Sequence, residues 1–534
     1  MTRWHDVNGI YQIYPRSFKD SNDDGIGDLN GIISKLDYIK DGPSSLGIGA
    51  IWISPFFASP MADFGYDVSD YQAVDPIFGT LDDFKRLLTE AHKRDIKVMI
   101  DYVPNHTSNQ HAWFQESKGS RDNPKRDWYV WRDPKADGTP PSNWLSVFGG
   151  SAWEYDETTK QYYLHSFLKE QPDLNWDNPE VRAAMMGVLD FWLNMGVDGI
   201  RADAVRWLSK DLVLLEDNPP NPEYKEGDDP YQSQRQLRSR YGDSIYEYLH
   251  QMGETVAKYP DRIILFEDYI DPRMNREAQY VGMYSAYPEV AAPFNFEGMS
   301  TPYNASAFSD FISNFESLLG NELRPFYCFS NHDKPRLISR VGEKQAKLIA
   351  MLQLTLPGIP VIYYGDELGM HNVDIPASAV RDPFERNVPG IGLGRDPERT
   401  PMQWSSELNA GFSDATPWLP LSPDSSERNV KTEFSDPYSW LTLYRTLLQL
   451  RRMKALHTGD YSGWSGSTEQ VFGFIRKKGR EEILVILNMS DSPATTEGIG
   501  GEVLYSTHPE VEWIGENGIT LAPHQGVVVR RSVH

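Results

Sequence analysis

Residues 80–103 read TLDDFKRLLTEAHKRDIKVMIDYV. Thr80 stands where a helix N-cap is wanted, Asp82 and Asp83 fill the first turn, and Phe84, Leu87, Leu88 and Ala91 repeat at helical spacing. The β-rich run 96–103 follows at once and carries Asp101 near its end. A helix leading straight into a strand that ends in an acid is half of a β/α repeat. Comparable strand-like runs occur at 9–18, 48–54, 199–202, 263–266, 292–296, 326–330 and 359–364, and Asn178-Pro179-Glu180 opens another helix with Asn as cap and Pro in the first turn. With 96–103 these make eight. Eight alternations predict an α/β protein built on a (β/α)8 TIM barrel, with its chemistry at the C-terminal ends of the strands.

Two segments are far longer than strand-to-helix loops. Residues 105–171, rich in Trp, Asp, Pro and Gly, read as a subdomain inserted after the third strand. A second excursion, about 371–436, follows the eighth strand and precedes a helix over 437–456. From 457 the pattern changes to short strands, such as 471–476 and 483–488 around Lys477-Lys478-Gly479-Arg480. The expected division is a catalytic barrel of residues 1–104 and 172–456, an insert of 105–171, and a C-terminal all-β domain of sandwich type over 457–534.

The 534 residues carry 52 Lys and Arg against 76 Asp and Glu, a net charge of −24. Nucleic acid and anionic membranes both need a basic surface, so neither is an expected partner. A single cysteine, Cys328, excludes an internal disulfide and a cysteine-based zinc site. No apolar run approaches the roughly 18 residues of a membrane span, and the opening Met1-Thr2-Arg3-Trp4-His5-Asp6 has no apolar core of a signal peptide. The expectation is a soluble cytoplasmic protein, monomer or homodimer.

Acids recur where strands end: Asp101, Asp203, Glu267 and Asp333. A helix cap explains any one of them, but several on one rim point to a site. Glycoside hydrolysis needs two carboxylates flanking one bond, one to protonate the departing oxygen and one to attack the anomeric carbon. Arg201, two residues before Asp203, projects to the same side of the strand and would keep that carboxylate ionised. Glu267 follows the apolar run Ile263-Ile264-Leu265-Phe266, whose desolvation would favour an acid.

Five segments, in this order, carry a resemblance: Asp101-Tyr102-Val103-Pro104-Asn105-His106, Gln171-Pro172-Asp173-Leu174-Asn175, Gly199-Ile200-Arg201-Ala202-Asp203, Glu267, and Asn331-His332-Asp333. The chain resembles the α-amylase family, glycoside hydrolase family 13, and within it the oligo-1,6-glucosidase and α-glucosidase group. The resemblance implies Asp203 as nucleophile, Glu267 as acid/base and Asp333 as a third acid gripping sugar hydroxyls. His106, Gln171, Arg201 and His332 should line the same subsite. It further implies that Asp63 and Tyr66 hold the terminal glucose, that Arg399 pairs with Asp63 to close the pocket, and that Phe148 and Phe167 add apolar wall. Phe266 stands where many relatives have Gly before the Glu.

Ala204, after the nucleophile, is a small residue where relatives that prefer α-1,6 bonds tend to have Val. The expected activity is a retaining, exo-acting α-glucosidase on short saccharides, preferring maltose to isomaltose. A glucosyl-transfer enzyme or a sucrose or maltose isomerase of the same family shares the catalytic residues. Non-catalytic, transporter-associated relatives lose the acids and carry a membrane helix, unlike this chain.

The loop Asp20-Ser21-Asn22-Asp23-Asp24-Gly25-Ile26-Gly27-Asp28 places oxygens at alternate positions with Gly at a sharp turn, as hard cations require. Gly31 stands where an EF-hand would have its bidentate Glu, so the loop is not an EF-hand. The resemblance implies one structural Ca2+ or Mg2+ held by Asp20, Asn22, Asp24, the Ile26 carbonyl and Asp28.

Overall fold

The computed structural model describes residues 3–531 except 44, 272, 321 and 516. Seven parallel strands lie in the order Ala291–Pro293, Ile263–Phe266, Gly199–Ala202, Lys97–Tyr102, Ala50–Ile53, Ile10–Ile13 and Val361–Tyr363. Parallel bridges from Asn295 to Tyr327 and from Cys328 to Val361 join the two ends of that row. Residues 326–328 therefore take the remaining place, and the sheet closes into the eight-membered barrel read from the alternation. These residues are held by only three backbone hydrogen bonds, among them Val361 N to Tyr327 O at 2.9 Å.

The helix Leu81–Lys93 begins with a capping box, the Thr80 hydroxyl accepting from Asp83 N and the Asp83 carboxylate from Thr80 N. Its buried Phe84 meets Phe56 and Trp192 at ring distances of 4.8 and 5.2 Å. Trp192 comes from the helix Pro179–Met195, which Asn178 caps as expected and which ends at Gly196 with φ 111°, a left-handed turn that glycine adopts without strain.

Three expectations change in detail. The run 9–18 is a strand only over Ile10–Ile13. Pro15 then opens the short helix Pro15–Phe18, because proline has the φ of a first helical turn and lacks the N–H of a strand ladder. The helix over 437–456 is two, Trp440–Leu450 and Lys454–Thr458, separated by an extended Met453. A third excursion, 203–244, separates the strand Gly199–Ala202 from the helix Ile245–Ala257. It leans on the insert through Trp144 Nε1 to Glu216 O and Asn143 Nδ2 to Asn218 O, both 2.9 Å.

The insert is built on an antiparallel sheet, Trp131–Arg132, Gln161–Leu164 and Trp153–Asp156, over a small core of Val130, Trp144, Ala152, Trp153 and Leu164. Beyond the barrel, a five-stranded and a three-stranded antiparallel sheet form the all-β part. The strand Glu481–Asn488 shows why its sequence is a continuous apolar run. Leu484 and Ile486 face the smaller sheet, with Ile519 and Leu521, while Ile483, Val485 and Leu487 pack into the barrel's core. Both faces are covered, which fastens this domain to the barrel.

Candidate active site

The parallel register pairs Asp101 with Arg201 across neighbouring strands, and alternation turns both side chains into the barrel. Arg201 Nη1 lies 2.9 Å from Asp101 Oδ1 and 2.7 Å from Asp203 Oδ1. Its other terminal nitrogen, Nη2, lies 2.8 Å from Glu267 Oε1. One guanidinium thus holds both carboxylates of the expected pair. Glu267 Oε2 also accepts from Ala204 N at 2.9 Å, so the backbone that carries Asp203 fixes Glu267 as well. The sequence suggested an apolar setting for Glu267. The structure adds this arginine contact, which crosses from one strand to the next and so leaves no local signature.

Asp333 Oδ1 faces Arg399 Nη2 at 3.0 Å and Arg395 Nη1 at 3.2 Å. His332 Nε2 is 2.6 Å from the Tyr66 hydroxyl, which donates to Asp101 Oδ2 at 3.0 Å, and the two rings stack at 5.5 Å. His106 Nε2 lies 3.1 Å from both Tyr66 O and Gln171 Nε2, and Gln171 Nε2 donates to Asp63 Oδ2 at 3.1 Å. Phe167 packs between His106 and Trp207, and Phe148 lies under the Arg395 guanidinium and against Phe384.

Asp63, Tyr66, His106, Phe148, Phe167, Asp203, Ala204, Glu267, Asp333 and Arg395 line a cavity of about 360 Å3, whereas Gln171, Arg201, His332 and Arg399, expected to line it too, are not on its wall. Sites for small ligands start at roughly 300 Å3. A larger cavity of about 480 Å3, lined by Trp4, Ile263, Leu265, Glu289 and Arg324, opens at the other end of the barrel, away from the converging acids.

Burial dominates the electrostatics. It pushes His106 down to about 4 and His332 well below its usual range, so both imidazoles are neutral and the 3.4 Å contact of His332 with Asp333 is not an ion pair. Burial also pushes Asp101 up to about 7, against the pull of Arg201. Asp203 is raised by burial, Arg201 opposes, and Glu267, Asp101 and Asp333 add to the rise. Asp333 goes the other way. Burial would raise it, but the Arg395 and Arg399 guanidinium groups hold it below the ordinary carboxylate range.

One expected pairing is different. The arginine bound to Asp63 is Arg395, whose Nη2 lies 2.7 Å from Asp63 Oδ1, not Arg399. Arg399 is fully buried one turn later, where its Nε donates to His332 O at 2.8 Å and its Nη2 takes Asp333. Arg395 is fixed in turn by Asp382, at 2.7 Å. Sequence reasoning also missed Trp207, Arg206 and Phe384 on the cavity wall. Asp268 is no free acid of the site, being buried against Arg206 at 2.5 Å and the Tyr241 hydroxyl.

The loop over 20–28 gathers oxygen donors only, a chemistry that fits a hard cation. In the structure those oxygens serve the loop's own backbone. Asp20 accepts from the amides of Asn22, Asp23 and Gly25, Asn22 from Asp24 N, Asp24 from Ile26 N, and Asp28 from Ser21 N and Gly31 N. Among the described residues, no three His, Cys, Asp or Glu side chains are grouped as a metal centre.

A barrel with two carboxylates on one arginine at the C-terminal ends of its strands defines a glycoside-cleaving enzyme. Comparison with known proteins agrees. The model for the α-amylase catalytic domain matches residues 12–459. A probable α-glucosidase of Rhizobium meliloti is 42% identical over 91% of this chain and 90% of its own length, and an oligo-1,6-glucosidase of Heyndrickxia coagulans is 39% identical over 92% and 93%. Among solved structures, an α-glucosyl transfer enzyme, XgtA, superposes with a TM-score of 0.91 at 40% identity, covering 99% of this chain and 100% of that one. The trehalulose synthase of Pseudomonas mesoacidophila gives 0.87 at 36%, covering 99% of each chain. The chain belongs to the α-amylase family and is a glycoside hydrolase of its α-glucosidase group. Among the described residues no helix is long and apolar enough to cross a membrane.

Proposed function

We propose that the protein is a retaining, exo-acting α-glucosidase that releases one terminal glucose at a time from short α-linked saccharides in the cytoplasm. The observation that carries this reading is the single guanidinium of Arg201 shared by Asp203 and Glu267, both of which line the cavity. Asp203 attacks the anomeric carbon while Glu267 gives its proton to the departing oxygen. Water then attacks the glucosyl-enzyme ester and gives a proton to Glu267, Asp203 leaves as a carboxylate, and two inversions leave the anomer unchanged.

Exo action is supported by the arginine on one side of the cavity, where Asp63, Asp333 and Asp382 converge on Arg395 with Phe148 beneath it. Ala204 supports a preference for α-1,4 bonds, since its methyl leaves room beside the nucleophile. A structural Ca2+ or Mg2+ belongs to the same proposal, held by Asp20, Asn22, Asp24, the Ile26 carbonyl and Asp28, where it would brace the loop.

The experiment is a time course on maltose, isomaltose, sucrose and maltotriose with product chromatography and anomer detection by NMR. α-Glucose as the first product, fastest from maltose, is expected. Inverted β-glucose at early times would remove the double displacement. A second reading, transfer of glucose to a sugar or alcohol in place of water, is favoured by the likeness to the transfer enzyme. It predicts new glucosides on adding an alcohol acceptor.

A further inference from the structure

Gln12 lies on the strand Ile10–Ile13, fully buried and outside the cavity lining. Its amide nitrogen is 2.8 Å from His332 Nδ1 and 3.2 Å from Ser54 Oγ. An amide NH2 only donates, so Nδ1 accepts and the ring's hydrogen sits on Nε2. Nε2 lies 2.6 Å from the Tyr66 hydroxyl. With Nε2–H donating to that oxygen, the hydroxyl's own hydrogen points to Asp101 Oδ2, 3.0 Å away. Asp101 then accepts at both oxygens, from Tyr66 and from Arg201 Nη1, and Arg201 holds Asp203 and Glu267.

The opposite tautomer would reverse this order. With hydrogen on Nδ1, Nε2 becomes the acceptor, Tyr66 turns its hydrogen to the ring, and Asp101 Oδ2 loses its donor. The ring cannot swing away, because Tyr66 stacks on it at 5.5 Å, Tyr14 at 5.7 Å, and Trp52 meets it edge-on at 6.2 Å.

We infer that Gln12 is a positioning residue. It holds His332 in the Nε2–H tautomer and so directs a chain of hydrogen bonds that ends at the arginine gripping the nucleophile and the acid/base. The inference rests on the roles proposed above for Asp203 and Glu267. Asp101, pushed up to about 7 by burial, is poised to take a proton once its donor is lost, which would weaken its hold on Arg201. The charged and titratable groups facing this relay are Tyr66, Arg201 and Glu267 at Asp101, and Tyr14, Asp333, Arg395 and Arg399 at His332.

The test uses the full-length protein labelled with 15N-histidine, His332 being assigned by its loss in H332Q. Unaltered protein should show a protonated Nε2 and a bare Nδ1 at His332. In Gln12→Met, close in shape but without a donor, that preference should be lost. There kcat on p-nitrophenyl α-glucoside should fall about tenfold with KM changed less than about threefold, and the acid limb of the kcat profile should move to higher pH. Gln12→Glu, an acceptor when ionised, should drive the hydrogen to Nδ1. A proton on Nδ1 in the unaltered protein overturns the inference even if neither variant folds. So does Gln12→Met with native kcat and an unmoved pH profile. Should the unaltered protein cleave no α-glucoside, the proposed function fails, and the tautomer still reports whether Gln12 sets it.

Discussion

Arg395 bridges Asp63 and Asp333, its Nη2 lying 2.7 Å from the first and its Nη1 3.2 Å from the second. Asp63 comes from the stretch past the second strand and Asp333 from the stretch past the seventh, so this guanidinium closes the rim across the barrel. It is itself held by Asp382 and by the face of Phe148. A planar fork can serve three carboxylates, whereas a lysine ammonium is a point charge. R395K should therefore raise KM for maltose about tenfold or more, with a smaller effect on kcat. Steady-state kinetics showing an unchanged KM would take Arg395 out of the glucose site.

The two carboxylates on Arg201 should separate by chemistry. D203N is expected to be inactive on every glucoside. E267Q should lose about 10²–10⁴-fold on maltose, the usual worth of a general acid, and much less on an aryl glucoside whose leaving group needs no proton. Azide should then accelerate E267Q and yield α-glucosyl azide, identified by NMR. Full activity in D203N would end the assignment.

The acids of the candidate site were legible because each follows an apolar run that announces a barrel strand, and a strand end is where a barrel puts chemistry. Asp203 and Glu267 were placed in this way, and Arg201 by alternation. Arg395 was not. It lies in an irregular stretch without period, four residues before Arg399, and its place is set by Asp63, Phe148, Asp333 and Asp382, which come from other stretches of the chain. The setting of Asp268 was hidden in the same way, since adjacency to Glu267 says nothing of Arg206 and Tyr241 folding over it. The excursion over 203–244 has neither strand nor long helix to announce it. Its signature is the insert it leans on.

Glu316 should contribute stability that is lost as pH rises from acid to neutral. Burial beneath the all-β domain pushes this carboxyl up to about 7, while the Tyr327 hydroxyl donates to it at 2.6 Å. Its folded value lies above its unfolded one near 4.5. Between those values the native state holds a proton that the unfolded chain releases, so raising pH through the window favours unfolding, and the loss levels off above about 7. E316Q keeps an acceptor for Tyr327 but cannot titrate. Its melting temperature should vary less than the parent's between about pH 5 and 8. Parallel curves for the two proteins in calorimetry would exclude Glu316 as a contributor.

A cation in the 20–28 loop should add stability only when bound, by mass action. Calcium at about 100 times its dissociation constant would contribute about 2.7 kcal/mol, and EDTA should return the melting temperature to that of the free protein. D24A removes one exposed ligand and only one internal hydrogen bond, to Ile26 N. It should abolish the calcium shift with a small change in EDTA. If calcium and EDTA give superimposable melts of the parent protein, the loop is organised by its own amides alone.

The proposed linkage preference and the proposed catalysis meet at the backbone of Ala204. It sits at φ 50° and ψ 39°, in the left-handed region, with its methyl on the cavity and its N–H on Glu267 Oε2. A branched side chain in that region is strained, so A204V should both fill the space beside the nucleophile and disturb the amide that fixes the acid/base. Glycine adopts the same angles freely and keeps the N–H. A204G should hold kcat on maltose within about threefold, while A204V should lose about 10–200-fold in kcat/KM on maltose, the range of one pocket contact. Isomaltose enters at another angle and should lose less, so the isomaltose-to-maltose ratio of kcat/KM should rise in A204V. If that ratio is equal in parent and A204V while both rates fall together, the residue acts through Glu267 only and the linkage preference has another source.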